Sequence, residues 1–196
     1  MQRFILFVFF TSLFAIKSSQ IYNDSWAVIV GIEKYEGEGL KELNYAVDDA
    51  EDIRTVLIEQ HNMDPDKITL LLNENATKSQ IQESLYNVII ESKPDDRIIF
   101  YFSGHGMTMP TTTGGEMGYL VPVDLHNKDH VVLKGIDMKS LKDYTNYAEA
   151  KHILFLIDAC YGGLAAVTTK ALKPEEEGDH YWRKITKGKV RKIITA

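Results

Sequence analysis

Two short motifs carry side chains that can perform chemistry together. The first is Ser-Gly-His-Gly at residues 103–106, and the second is Asp-Ala-Cys-Tyr-Gly at residues 158–162. A cysteine beside an imidazole is the arrangement of nucleophilic catalysis, because the base lowers the pKa of the thiol and the thiolate then attacks a carbonyl carbon. His105 and Cys160 are therefore the candidate catalytic pair.

Both motifs follow an apolar run of strand length. The runs cover residues 98–102 and 152–157, and small residues end each of them abruptly. Such runs are typical of buried strands in a parallel sheet, and sites in open α/β sheets lie beyond the carboxyl ends of the strands. If the two strands are neighbours, His105 and Cys160 emerge side by side at one edge of the sheet.

The elements around these motifs alternate between strands and helices. That order predicts an α/β fold with a mainly parallel central sheet and helices on both faces. A capping box at Thr77 and an Asp137 cap mark the starts of two of the helices. The predicted elements are strands at 26–31, 68–72 and 190–196, helices at 47–60, after Thr77 and from Asp137 to about residue 146, a long loop at 107–117 and an extended segment at 118–124.

Composition limits the class of protein and of partner. With 196 residues, 44% of them hydrophobic, the chain is long enough for one globular domain with its own core. The net charge of −6 argues against nucleic acid as the main partner. Residues 165–196 hold 8 Lys and Arg against 4 Asp and Glu, so the rest of the chain carries the excess of negative charge. The candidate site lies in that acidic part, which favours a basic group on the substrate. A single cysteine excludes an intramolecular disulfide.

Residues 1–20 have the pattern of a targeting segment. A basic Arg3 precedes an apolar stretch at 4–16, and a small polar exit follows at 17–20. The apolar stretch is short for a bilayer span and suits the core of a signal peptide. We expect a secreted or exported protein without a stable membrane anchor, with a membrane anchor or a buried helix as the alternatives.

Taken together, the motifs resemble those of caspase-like cysteine peptidases of the C14 type, and most closely the metacaspases and prokaryotic caspase homologues. Cys160 follows His105 by 55 positions (160 − 105), and Asp158 stands where true caspases have glutamine. The resemblance covers residues 26–167 and implies a caspase-like three-layer sandwich. It divides the chain into a catalytic large-subunit domain at 21–167 and, at 168–196, an inter-subunit loop with the start of a truncated small-subunit strand.

The resemblance also assigns the chemistry. Cys160 is then the nucleophile, His105 is the general base and acid, and the backbone N–H groups of Gly106 and Cys160 hold the oxyanion. Glycine at positions 104 and 106 has a physical reason of its own, because a peptide can approach backbone that has no Cβ. Each oxyanion donor is worth about 3 kcal/mol in the transition state.

The residue before the scissile bond is expected to be Arg or Lys. In metacaspases, aspartates at the positions of Asp49 and Asp158 line this pocket, with a residue at the position of Ser103. Two carboxylates would pair with a basic side chain, Arg in a bidentate manner. Two structural roles compete with this assignment: Asp49 could stabilise a helix start by its charge, and Asp158 could form a hydrogen-bonded turn.

Metal dependence and self-processing are the remaining expectations. Many metacaspases bind calcium in a loop after the histidine, but residues 114–119 contain one acid, so we expect no metal and no cofactor. Asp124 and Asp129 are left as possible ligands. An enzyme specific for basic residues can also cut its own chain, and the sites offered by the loop after the nucleophile are Lys170, Lys173, Arg183 and Lys184.

Three alternatives to this peptidase follow from the same residues. The chain could be a catalytically silent caspase-fold binding or adaptor module, although His105 and Cys160 are both present. It could be a caspase-like peptidase with acidic specificity, which requires basic residues in the pocket. It could also be a thiol hydrolase of small molecules on a similar sheet.

Overall fold

The computed structural model describes residues 21–37, 39–159 and 189–195. Several predictions fall outside these ranges: the targeting segment at 1–20, the nucleophile Cys160, and the proposed self-cleavage positions Lys170, Lys173, Arg183 and Lys184. Within the described ranges, no helix is long and apolar enough to span a membrane.

Five strands of the described residues form one parallel sheet. Their order is β2-β1-β3-β7-β8, so β3 and β7, the strands before the two motifs, are neighbours. β-branched and aromatic side chains dominate these strands and suit a buried pleated surface. The bounds are β1 Ser25–Gly31, β2 Ile68–Leu72, β3 Arg97–Ser103, β7 His152–Asp158 and β8 Val190–Thr195.

Helices cover both faces of this sheet, which confirms the three-layer prediction. Alternate strand residues face opposite layers. Ala27, Ile29 and Tyr101 pack with α1 (Ala46–Glu59) on one face. Val28, Phe100 and Phe102 belong to the core on the other face, which includes α2 (Lys78–Glu91) and α4 (Met138–Tyr144).

The starts of α1, α2 and α4 are each held by a carboxylate or hydroxyl group. The Thr77 capping box at α2 and the Asp137 cap at α4 are both present, as predicted. The start of α1 has no cap of its own, and Tyr45 there adopts a left-handed φ of 90°. Instead, the Glu33 carboxylate accepts the backbone N–H groups of Tyr45 at 2.8 Å and Val47 at 3.2 Å. The loop after β1 therefore sets the position of α1.

The prediction of a long loop at 107–117 is wrong. The described residues there form an antiparallel hairpin, β4 (Gly106–Pro110) and β5 (Glu116–Leu120), to which the short β6 (Ile136–Asp137) adds a third strand. The hairpin forms because alternate side chains, including Met107, Met109 and Tyr119, join an apolar cluster beside the main sheet. The paired glycines that suggested a loop instead make the turn, each at φ 88°. A four-residue helix, α3 (Val131–Lys134), precedes β6.

Candidate active site

The two motifs leave the sheet from adjacent strands in register. Ser103 at the end of β3 pairs with Asp158 at the end of β7 and with Gly31 at the end of β1. The pairing continues one step further, because the Gly104 N–H donates to the Asp158 carbonyl oxygen at 3.2 Å. His105 follows Ser103 by two residues, and Cys160 follows Asp158 by two residues. Cys160 itself lies one residue past the described end of this segment, beyond the buried Ala159.

His105 makes three contacts with the loop that follows β1. Its backbone N–H donates to the Tyr35 hydroxyl at 2.7 Å, and its Nε2 lies 2.6 Å from the carbonyl oxygen of Lys41. The Tyr35 and His105 rings pack with centroids 4.7 Å apart. A carbonyl oxygen only accepts, so this geometry assigns the hydrogen to Nε2 and leaves Nδ1 as the basic nitrogen.

The structure gives a different reason for glycine at position 104 from the one expected. A Cβ at this position would lie 2.6 Å from the Tyr35 hydroxyl oxygen and 3.0 Å from the Phe102 ring. The space in front of Gly104 is thus occupied by the protein itself. The expected reason, approach of a peptide, is replaced by close packing against Tyr35.

Gly106, a predicted oxyanion donor, begins the outer strand of the hairpin. The Val121 N–H donates to the His105 carbonyl oxygen at 3.0 Å, which makes residues 105 and 121 a hydrogen-bonded pair. Hydrogen-bonded and non-bonded pairs alternate along an antiparallel ladder, so Gly106 and Leu120 form a non-bonded pair. The Gly106 N–H therefore points away from β5 and away from its own sheet.

The residues predicted for the substrate pocket lie together on the α1 face of the sheet. Asp49 is half-buried on α1, Asp158 is exposed, and Ser103 is 5% exposed. Burial raises the pKa of Asp49, and the negative charge of Asp158 raises it further, followed by Asp52, Asp48 and Glu33. The charges that act on Asp49 are thus all carboxylates. Asp49, Asp158 and Ser103, the residues predicted to bind the substrate, are hereafter called the acidic pocket.

Tyr101 is the neighbour of the acidic pocket on strand β3. It stands two residues before Ser103 on the same face of β3, and the two side chains are hydrogen-bonded. Burial raises the pKa of Tyr101, the bond to Ser103 opposes that change, and the charges of Asp49 and Asp158 add to it. The raised pKa keeps the Tyr101 phenol neutral at physiological pH, and the charges of Asp49 and Asp158 act on it.

Comparison with known proteins decides the family. The sequence model of the caspase domain, a peptidase family, matches residues 24–193.

The chain belongs to the caspase domain family.

Relatives support that assignment, and one solved structure shares the fold. Metacaspase-2 of Arabidopsis thaliana is 25% identical over 172 residues, covering 83% of this chain and 40% of the relative. Metacaspase-1 of the same plant is 26% identical over 151 residues, covering 72% and 40%. The chain thus spans less than half the length of these relatives. A crystal structure of a Geobacter sulfurreducens protein has the same fold, with a TM-score of 0.60, 19% identity and coverage of 71% of this chain and 52% of that one.

Several residues of this caspase domain escaped the sequence analysis. Tyr101 could have been found, because the period of two places it on the face of Ser103. Tyr35, Glu33 and the carbonyl of Lys41 come from the loop after β1 and carry no local signal. Only the folded chain brings that loop to the rim that holds His105.

Asp124, one of the two residues left open as calcium ligands, has a structural role in the described caspase domain. Asp124 accepts the Lys78 N–H at 2.9 Å and so supports the start of α2. No group of three or more His, Cys, Asp or Glu side chains in the described ranges is placed to hold a metal ion.

Proposed function

We propose that this protein is a cysteine endopeptidase that cuts peptide bonds after Arg or Lys, with Cys160 as nucleophile and His105 as general base and acid. The observation that carries the proposal is the acidic pocket. Its carboxylates, Asp49 and Asp158, flank the same strand ends from which His105 and Cys160 continue. Membership of the caspase domain family supports cysteine peptidase chemistry independently of the pocket.

The reaction follows from the proton positions at His105. Nδ1 takes the proton of the Cys160 thiol, and the thiolate forms a bond to the carbonyl carbon of the substrate. The carbonyl oxygen becomes an oxyanion that the N–H groups of Gly106 and Cys160 stabilise. The tetrahedral intermediate collapses when the C–N bond breaks and Nδ1 returns the proton to the leaving amine.

A water molecule completes the cycle. It attacks the thioester carbon while Nδ1 removes one of its protons, and the C–S bond breaks to release the carboxylic acid product and the thiol. Throughout these steps the Nε2 hydrogen stays with the Lys41 carbonyl, which fixes the tautomer and the plane of the imidazole.

Specificity for basic residues follows from charge. A substrate guanidinium or ammonium loses hydration on entering the pocket and is compensated by two carboxylates, whereas an aspartate side chain would be repelled by them. The carboxylates of this pocket therefore disfavour an acidic substrate residue, and we expect no cleavage after Asp.

A panel of fluorogenic peptides tests the proposal on the full-length protein. Peptides that differ only in Arg, Lys, Asp or Leu before the reporter should rank Arg and Lys first, with activity abolished in Cys160→Ala and in His105→Ala. An inactive wild-type protein whose Cys160 is not labelled by an arginyl chloromethyl ketone would establish the adaptor alternative. Cleavage after Asp would establish acidic specificity.

A further inference from the structure

His105 stands one residue before β4, where the register of the hairpin ladder continues with only one of two backbone bonds. Residues 105 and 121 form a hydrogen-bonded pair, a position at which two residues normally exchange both N–H···O bonds. The Val121 N–H does donate to the His105 carbonyl, at 3.0 Å. The His105 N–H, however, donates to the Tyr35 hydroxyl at 2.7 Å. A side chain from another part of the fold has replaced the strand partner.

The same tyrosine contacts the imidazole and the preceding residue. Its ring lies 4.7 Å from the His105 ring, centroid to centroid, with the planes tilted by 40°. Its hydroxyl oxygen fills the space where a Cβ of Gly104 would stand, at 2.6 Å. Burial raises the pKa of Tyr35, so its hydroxyl is neutral at physiological pH. Tyr35 therefore fixes His105 through its backbone and its ring together.

We infer that Tyr35 is a positioning residue for His105: its hydroxyl holds the backbone N–H out of the β4–β5 ladder, and its ring holds the imidazole against the Lys41 carbonyl. Tyr35 has no contact with the reacting atoms in this scheme, so its effect is exerted through His105. Without the hydroxyl, the His105 N–H can return to Val121, and the imidazole moves with it. This inference rests on the proposed function of His105 and Cys160.

Tyr35→Phe removes only the hydroxyl and is the variant of choice. Misplacement of a catalytic group by about 1 Å can cost about 100-fold in rate, so we expect kcat to fall about 10- to 100-fold while KM stays within about two-fold. The matched control is Tyr144→Phe, which also loses a hydroxyl and one hydrogen bond, to Gln82 at 3.3 Å, and whose side chain packs against the same core as Tyr35.

A second readout separates positioning from a merely structural role. The rate of alkylation of Cys160 by iodoacetamide, measured against pH in the full-length protein with Cys160→Ala as background, reports the pKa of the thiol. A well-placed imidazolium lowers that pKa below the usual value of about 8.5. Tyr35→Phe should move the midpoint upward by about one pH unit, and Tyr144→Phe should leave it in place. The carboxylates of Asp49 and Asp158 are present in every variant, so they do not cause the difference.

Each outcome decides the inference. A Tyr35→Phe protein that folds and keeps the wild-type kcat and alkylation midpoint overturns it. If Tyr35→Phe does not fold, Gly104→Ala displaces the same hydroxyl from the other side and must show the same upward shift. Failure of the proposed function is distinguishable, because it appears as an inactive wild-type protein or as activity that survives Cys160→Ala.

Discussion

Ser103 and Asp158 lie directly opposite each other at the ends of β3 and β7, and both side chains face α1. The next backbone bond, from Gly104 to Asp158, carries this register to the edge of the two motifs. His105 follows Ser103 by two residues, and Cys160 follows Asp158 by two residues in the sequence. The same stretch of ladder therefore places the proposed pocket and the strand end that leads to His105.

Asp158→Asn tests the pocket without changing its shape. A hydrogen bond to a charged group is worth about 1.5–3 kcal/mol, so kcat/KM for Arg peptides should fall about 10- to 100-fold, measured by steady-state kinetics. The matched control is Asp143→Asn, which removes an exposed carboxylate from α4 on the other side of the sheet and should leave kcat/KM unchanged. Equal kinetics for wild type and Asp158→Asn would show that Asp158 does not bind the substrate.

Asp49 should link acidity to substrate binding. Burial and then the charge of Asp158 raise the pKa of Asp49, so Asp49 takes up a proton at a pH above the ordinary value of about 3.9. KM for Arg peptides should therefore rise as pH falls through that raised pKa. In Asp49→Asn the KM should be higher at neutral pH and should lose this part of its pH dependence. A KM profile identical to that of the wild type would contradict the assignment of Asp49.

The same shift has a consequence for stability with a definite sign. Because the folded state holds the Asp49 proton more tightly than the unfolded state, this group's contribution to stability is largest below the unfolded pKa and is lost as pH rises through the folded pKa. At neutral pH Asp49→Asn should therefore raise the thermal midpoint while weakening cleavage after Arg. Asp143→Asn is the control, and a lower midpoint for Asp49→Asn than for this control would refute the prediction.

Gly104 and Tyr35 should be energetically coupled. A Cβ at Gly104 collides with the Tyr35 hydroxyl at 2.6 Å, so Gly104→Ala alone should lower both kcat and the thermal midpoint. In the Tyr35→Phe background the obstructing oxygen is absent, and the added methyl should cost less than it does alone. A double-mutant cycle on unfolding free energies measures this difference. Strictly additive effects would mean that the clash is relieved elsewhere, for example at the Phe102 ring.

The sequence by itself determined the parts of this protein that depend on local pattern. Apolar runs bounded by small residues located β3 and β7, and helical spacing with acids or a capping box located α1 and α2. The hairpin at 106–120 was missed because its alternation of Met with Thr or Gly is weak, and because paired glycines favour loops as well as turns.

Only the tertiary structure decided how the site is held. The register of β3 against β7, the position of α1 under the Glu33 carboxylate, and the placement of Tyr35 and Lys41 on His105 all join residues far apart in the chain. Such contacts leave no period in the sequence, because a loop residue is selected by the surface it meets rather than by its neighbours along the chain. The sequence therefore predicts the types of the reacting groups. The residues that hold them in place are found only in the folded structure, because the sheet brings distant segments to one edge.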